Sequence, residues 1–254
     1  VTVNCQTMQQ KSAAIIVIGN EILTGKSEDQ NASYLIKQLY ELGVALKRVV
    51  IIPDDVDDII NAVRDCSARF DYVFTSGGIG PTHDDLTIPS IARAFNRPII
   101  RHPELEALIR GYFGERVNET KLRLADVPEG SQLVGGNTVN WPILAVENVY
   151  VLPGVPEFFR RKFDAIRERF RAAPFYVCMI FTLEEELEIA TRLNEVAAAH
   201  TAVEIGSYPV FGDEDYRVKV TIESKERAAV EEARQALLTR LKIEEIVRTE
   251  ANYE

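Results

Sequence analysis

The sequence predicts an α/β protein, a doubly wound and mostly parallel sheet followed by a smaller α+β domain with the ferredoxin-like order βαββαβ. Three observations carry this reading. Residues 13–18 (AAIIVI) form a continuous apolar run, as a strand buried on both faces requires. Strand-like and helix-like segments then alternate at the spacing of βαβ units. From residue 173 the order changes to that of the split βαββαβ motif.

In chain order, residues 30–42 place Tyr34, Leu35, Leu39 and Leu42 at helical spacing, and Gly43 follows as a C-cap would. Residues 44–52 read as a second strand. After Pro53 comes a helix over 55–69 with Ile59, Ile60, Val63 and Cys66 on its apolar face. A strand at 72–74, a glycine loop and a helix at 86–95 follow. Residues 103–113 and 119–125 look helical, and the Gly/Asn-rich stretch 131–141 reads as a connector. Two strands, 143–146 and 148–152, turn at Glu147 and Asn148. Beyond LPGVP (152–156) a helix runs from 157 to about 170, its start marked by prolines and an acid. The smaller domain is expected as strand 175–182, helix 184–199, strands 203–208 and 216–222, helix 225–241 and strand 244–247. In 216–222, Tyr216, Val218, Val220 and Ile222 alternate with Arg217, Lys219 and Thr221, the two faces of a half-buried strand. The expected division is a disordered leader at 1–12, a first domain at 13–172 and a second at 173–254.

Composition narrows the function. A net charge of −10 over 254 residues leaves no basic excess to neutralise a nucleic-acid backbone, so nucleic acid is not the expected partner. A small anion is compatible with that charge if local amides and a metal hold it. The three cysteines, Cys5, Cys66 and Cys178, form neither a disulfide framework nor a zinc pattern, and a cytoplasmic location is expected. No apolar run approaches the ~20 residues of a membrane span. The polar first twelve residues do not read as a signal peptide, and Met8 is a candidate start.

The segment 75–87 (TSGGIGPTHDDLT) carries the strongest chemical signal. Gly77, Gly78 and Gly80, close behind a strand, allow backbone amides to approach a phosphate, and Ser76 and Thr82 add hydroxyls. Asp84 and Asp85 stand where the next helix begins. One of them is expected to cap that helix and one to face a divalent cation, with Asp85 the first choice. Asn20 and Glu21 end the first strand and belong at the same sheet edge, Asn20 as a polar reader of the ligand and Glu21 as a further metal ligand. Asn31 reads as a helix cap. His83 is either a phosphate contact or a bystander. Gly154 and Pro156 shape a loop expected to wall the pocket. Arg160, Arg161 and Lys162 read as a solvated helix face, and Trp141 either stacks on a flat ring or plugs the core. The chain has no P-loop, no GxSxG elbow and no GxGxxG fingerprint, which removes the main support for kinase, serine-hydrolase and dehydrogenase readings.

The stretches GNEILTGKSEDQNASYLIKQLYELG, TSGGIGPTHDDLT and VLPGVPEFF together resemble the molybdopterin-binding-like superfamily. Within it the chain is similar to CinA-type proteins and to the amino-terminal domain of eukaryotic-type FAD synthases. WPILAVENVYVLPGVP (141–156), IGSYPV (205–210) and DYRVKVTIES (215–224) favour the FAD-synthase side. The resemblance covers about residues 13–241 and leaves no room for a synthase or amide-hydrolase partner domain, so any activity is expected in the two domains described. It implies a metal-dependent nucleotide pyrophosphatase acting on ADP-ribose or FAD, in which a metal-activated water attacks phosphorus. Asp85 and Asp84 would be the catalytic and metal-holding acids with Glu21. Mg²⁺ is the expected cation, with Mn²⁺ or Co²⁺ as substitutes. The alternative is a molybdopterin- or nucleotide-binding module without hydrolytic activity. A homo-oligomer is expected from the resemblance.

Overall fold

The computed structural model describes residues 10–135, 141–212 and 215–253, and its chain divides into two compact units between Ala172 and Ala173. Residues 1–9 of the expected leader lie outside the described residues, and Ser12 already belongs to the first strand.

In the first unit the elements run β1 (Ser12–Ile18), α1 (Asn20–Leu23), α2 (Asn31–Glu41), β2 (Ala45–Ile52), α3 (Val56–Arg69), β3 (Tyr72–Ser76) and α4 (Thr87–Ala94). They continue with β4 (Ile99–Arg101), α5 (Pro103–Phe113), α6 (Glu119–Leu122), β5 (Asp126–Pro128), β6 (Gln132–Val134), β7 (Ile143–Val146), β8 (Val149–Leu152) and α7 (Pro156–Ile166). Six strands form one sheet in the order β2-β1-β3-β8-β7-β6. The β1–β2, β1–β3 and β3–β8 pairs are parallel, whereas β7 and β6 add antiparallel strands at one edge.

The apolar run in β1 is explained by two separate cores. Residues 13–18 are at most 3% exposed, because helices cover both faces. Ala14, Ile16 and Ile18 pack with Ile59 and Val63 of α3 and Ile91 of α4. Ala13, Ile15 and Val17 pack with Leu35 and Leu39 of α2 and Phe159 and Phe163 of α7. Alternate side chains of one strand thus feed opposite layers. The connection after β1 lies on the α2 face and that after β3 on the α4 face. The carboxyl ends of these neighbouring strands are therefore the switch point where doubly wound sheets open a crevice for ligands.

Local chemistry accounts for the element ends. Asp55 caps α3, accepting from the amides of Asp57 at 2.9 Å and Asp58 at 3.1 Å. Three strands depart from the expectations above. β4 and β5 pair antiparallel as a small separate sheet, and β6 lies within the expected connector. Each has three residues, too few for a two-residue period to show. Residues 136–140 of that connector lie outside the described residues.

The second unit runs β9 (Tyr176–Thr182), α8 (Glu186–Ala199), β10 (Glu204–Pro209), β11 (Val218–Ser224), α9 (Arg227–Leu238) and β12 (Ile246–Ala251). Its antiparallel sheet has the order β10-β11-β9-β12. Val218, Val220 and Ile222 turn to the core beneath α8 and α9, as their alternation requires. Among the described residues no helix is long and apolar enough to cross a membrane.

Candidate functional site

Three strand ends meet at Gly77. Its N–H donates to the Leu152 carbonyl at 3.2 Å. Its φ is 105°, and a Cβ there would lie 2.2 Å from the Ile18 carbonyl oxygen, so only glycine lets β1, β3 and β8 converge. A Cβ on Gly154, in the loop after β8, would in turn stand 3.2 Å from the Gly77 Cα. Thr87 closes the loop from the far side. Its hydroxyl donates to the Gly77 carbonyl at 2.9 Å and its amide to the Gly78 carbonyl at 3.0 Å.

This geometry revises the expected phosphate contacts. The Gly77 amide is spent on Leu152, and the Gly80 amide donates to Asp85 Oδ1 at 2.6 Å. The Thr82 amide donates to Asp85 Oδ2 at 2.8 Å, and the Thr82 hydroxyl bonds the same oxygen. The amides of Gly78 and Ile79 have no acceptor among the described residues. Ser76 is buried behind the loop, where its hydroxyl accepts from Asn31 Nδ2 at 2.8 Å.

The acids separate into different roles. Neither Asp84 nor Asp85 caps α4. Its N-cap position is Leu86, without a side-chain bond. Asp85 instead folds back to organise the glycine loop, and those backbone donors offset its charge. Asp84 is exposed, and the Thr82 hydroxyl, whose one proton it shares with Asp85, and its own amide hold its carboxyl below the usual range. His83 is 98% exposed and stands 4.0 Å from Asp84. Glu21 is exposed in α1, with its carboxylate over Gly19, and the Asn20 amide donates to Asp54 at 2.9 Å. Among the described residues no three His, Cys, Asp or Glu side chains form a group able to hold a metal. Glu21, Asp84 and Asp85 are therefore not assembled as a three-carboxylate set.

Two residues have roles that sequence reasoning missed. Asn31 is buried, and Asp29 rather than Asn31 accepts from the first amides of α2. The Asn31 Nδ2 donates to Ser76 Oγ and, at 2.7 Å, to the Gly154 carbonyl, clamping two loops of the site together. Lys162 is half-buried rather than solvated, and its ammonium donates to the Trp141 carbonyl at 2.7 Å. The PEFFRRKF spacing contains a signal for it, because Phe158 and Lys162 are one helical turn apart on α7.

Phe158, Lys162 and the glycine loop line one cavity of about 840 Å³. Ile79, Gly80, Thr82 and Asp85 form its loop side, and Ile88, Leu105, Leu133 and Leu144 supply apolar wall. Trp141 and Phe158 add two aromatic rings, with Phe158 51% exposed. The charged residues at its surface are Asp85, Arg123, Asp126, Arg161 and Lys162. The size and the apolar lining with few polar groups are those of a small-molecule site.

Residues 14–172 match the family described as probable molybdopterin binding domain, and residues 174–250 match FAD synthase, middle domain. A probable FAD synthase of Caenorhabditis briggsae is 34% identical over 258 residues, covering 90% of this chain and 49% of that protein. The chain thus spans about half the length of that relative. A protein of Archaeoglobus fulgidus is 39% identical over 195 residues, 77% of this chain and 84% of the relative. Among solved structures, the CinA protein of Thermoplasma acidophilum, described as having unknown function, superposes with a TM-score of 0.58 at 30% identity. That match covers 63% of this chain and 98% of the other.

Proposed function

Since the chain belongs to the probable molybdopterin-binding domain family, continued by a FAD-synthase middle domain, we propose that it binds a dinucleotide pyrophosphate and hydrolyses it with a divalent cation. ADP-ribose and FAD are the substrates proposed. The observation that carries this reading is the continuity of the glycine loop with the cavity of about 840 Å³. The Gly78 and Ile79 amides offer donors for a phosphate at the loop, while the apolar wall with Trp141 and Phe158 takes a flat ring and excludes water.

The residues present fit a cation in one way only. Asp85 keeps about one unused lone pair, on Oδ1, beyond its bonds to Gly80 and Thr82, and a hard cation such as Mg²⁺ is commonly held by one or two carboxylates together with substrate phosphates. Mn²⁺ and Co²⁺ suit the same oxygen donors. Bound there, the cation would offset phosphate charge and lower the pKa of water. The chain's own contribution is positional. Asp85 fixes the loop, the loop amides hold the phosphate, and Asn31 keeps the neighbouring strand ends in place. In the reaction, water forms a new bond to phosphorus as the anhydride P–O bond breaks, giving AMP and either ribose 5-phosphate from ADP-ribose or FMN from FAD, with the water's protons released to solvent.

A second reading is favoured by the use of both Asp85 oxygens within their own loop. On that reading the site is a pterin- or nucleotide-binding module without turnover. AMP release from ADP-ribose and FAD with Mg²⁺, Mn²⁺, Co²⁺ or EDTA separates the two. The hydrolase reading requires metal-dependent AMP release, falling about 100-fold in Asp85→Asn, the scale of losing one charge-stabilising group. No release from either compound with any metal overturns it in favour of the binding module.

A further inference from the structure

Both carboxylates of the cavity are already engaged, whereas among the described residues none of its three cations forms an ion pair; Arg123 and Arg161 are exposed, and Lys162 alone of the three is half-buried. Asp85 is bonded by its own loop, and Asp126 accepts from Arg101 Nε at 2.9 Å and Nη2 at 3.2 Å. Lys162 is half-buried, and among the described residues its ammonium has a single acceptor, the neutral Trp141 carbonyl. Among the described residues no carboxylate forms an ion pair with it. An ammonium has three donors, so two are left over in a place where burial makes an uncompensated charge costly. The other charged groups at the cavity do not relieve that cost. Arg161 on the same helix and Arg123 ahead of β5 are also cations, and the Asp85 and Asp126 charges are offset elsewhere.

We infer that Lys162 is the residue that pairs with the ligand's pyrophosphate, so that a ring-bearing phosphate ester completes a charge the protein leaves open. The inference rests on the nucleotide reading above and assigns its anion-recognition residue. Trp141 and Phe158 line the same cavity, and Phe158 precedes Lys162 by one turn of α7. A ligand that joins a flat ring to a pyrophosphate therefore satisfies all three side chains. Burial pushes the Lys162 ammonium down to about 8 in the free protein. A bound pyrophosphate favours the charged form, so binding near pH 8 takes up protons, and affinity falls as pH rises beyond 8.

The test titrates ADP-ribose into wild type, Lys162→Met and Lys162→Arg at pH 7 and pH 9, with EDTA for binding and with Mg²⁺ for KM. ADP-ribose is chosen because its pyrophosphate does not titrate in this range. Lys162→Met is expected to raise Kd or KM at least tenfold at pH 7 and to abolish the proton uptake seen in buffers of different ionisation enthalpy. Lys162→Arg, always charged, is expected to retain binding and lose the difference between pH 7 and pH 9. Ligand-free Lys162→Met should melt at or above the wild-type temperature, because it removes a charge without a counter-ion; this distinguishes lost recognition from a lost fold. Wild-type affinity in Lys162→Met overturns the inference and leaves the nucleotide reading standing. Failure of wild type to bind or turn over ADP-ribose overturns both.

Discussion

At Gly77 the backbone leaves no volume for a side chain, since a Cβ would sit 2.2 Å from the Ile18 carbonyl oxygen at a φ of 105°. Gly77→Ala is expected to destabilise the first unit by about 1–3 kcal/mol, the cost of forcing a side chain into such a conformation, as read from urea unfolding. Asn31→Ala removes the clamp to Ser76 and Gly154 and leaves buried partners unpaired, for about 1–3 kcal/mol and a parallel loss of nucleotide affinity. Asn31 was legible only as a polar residue at a helix start. Its partners are 45 and 123 residues away, beyond any local pattern. The paired acids were legible as unusual, but Asp85 finds its donors three and five residues upstream, and a loop that curls back on itself leaves no periodicity to read.

Among the elements, the turn between β9 and α8 shows how an acid can mislead. Glu184 reads as part of the helix, yet α8 starts at Glu186 and Glu184 is buried ahead of it. Its Oε2 accepts from Arg192 Nη2 at 2.6 Å and its Oε1 from the Lys242 amide at 2.9 Å, tying the start of α8 to the segment after α9. Burial alone would raise the Glu184 carboxyl. The Arg192 guanidinium and the Lys242 amide overcome this and hold it below its ordinary range. A lowered folded-state pKa gives stability that is complete above the unfolded value of about 4.3 and is lost as pH falls through the folded value. Glu184→Gln should therefore destabilise the second unit at pH 7 more than at pH 3, so that its stability falls less on acidification than that of wild type, as read from urea unfolding followed by circular dichroism at the two pH values. Glu184→Ala strands the Arg192 charge and is expected to cost about 3 kcal/mol at pH 7. Long or strictly alternating segments such as β1 and β11 were legible because both periods were complete. β4, β5 and β6 were not, because their pairing depends on where the chain returns rather than on their three residues each.

For the whole molecule, the cavity belongs to the first unit alone: its lining runs from Ile79 to Lys162, within residues 9–172. That unit also contains both of its hydrophobic cores. A fragment of residues 9–172 is therefore expected to bind ADP-ribose within about threefold of the affinity of the full chain by calorimetry, a difference below 1 kcal/mol. The acidic balance of −10 makes nucleic acid an unexpected partner on physical grounds, but it hid a cavity where cations outnumber uncommitted acids. The central claim is that a nucleotide pyrophosphate lies on the glycine loop. The most direct measurement is amide and indole chemical-shift mapping on ¹⁵N-labelled protein as ADP-ribose is added. The largest shifts are expected at the Gly78 and Ile79 amides and the Trp141 indole. Saturating shifts confined to other surfaces, or no shifts at millimolar ADP-ribose, would contradict the account.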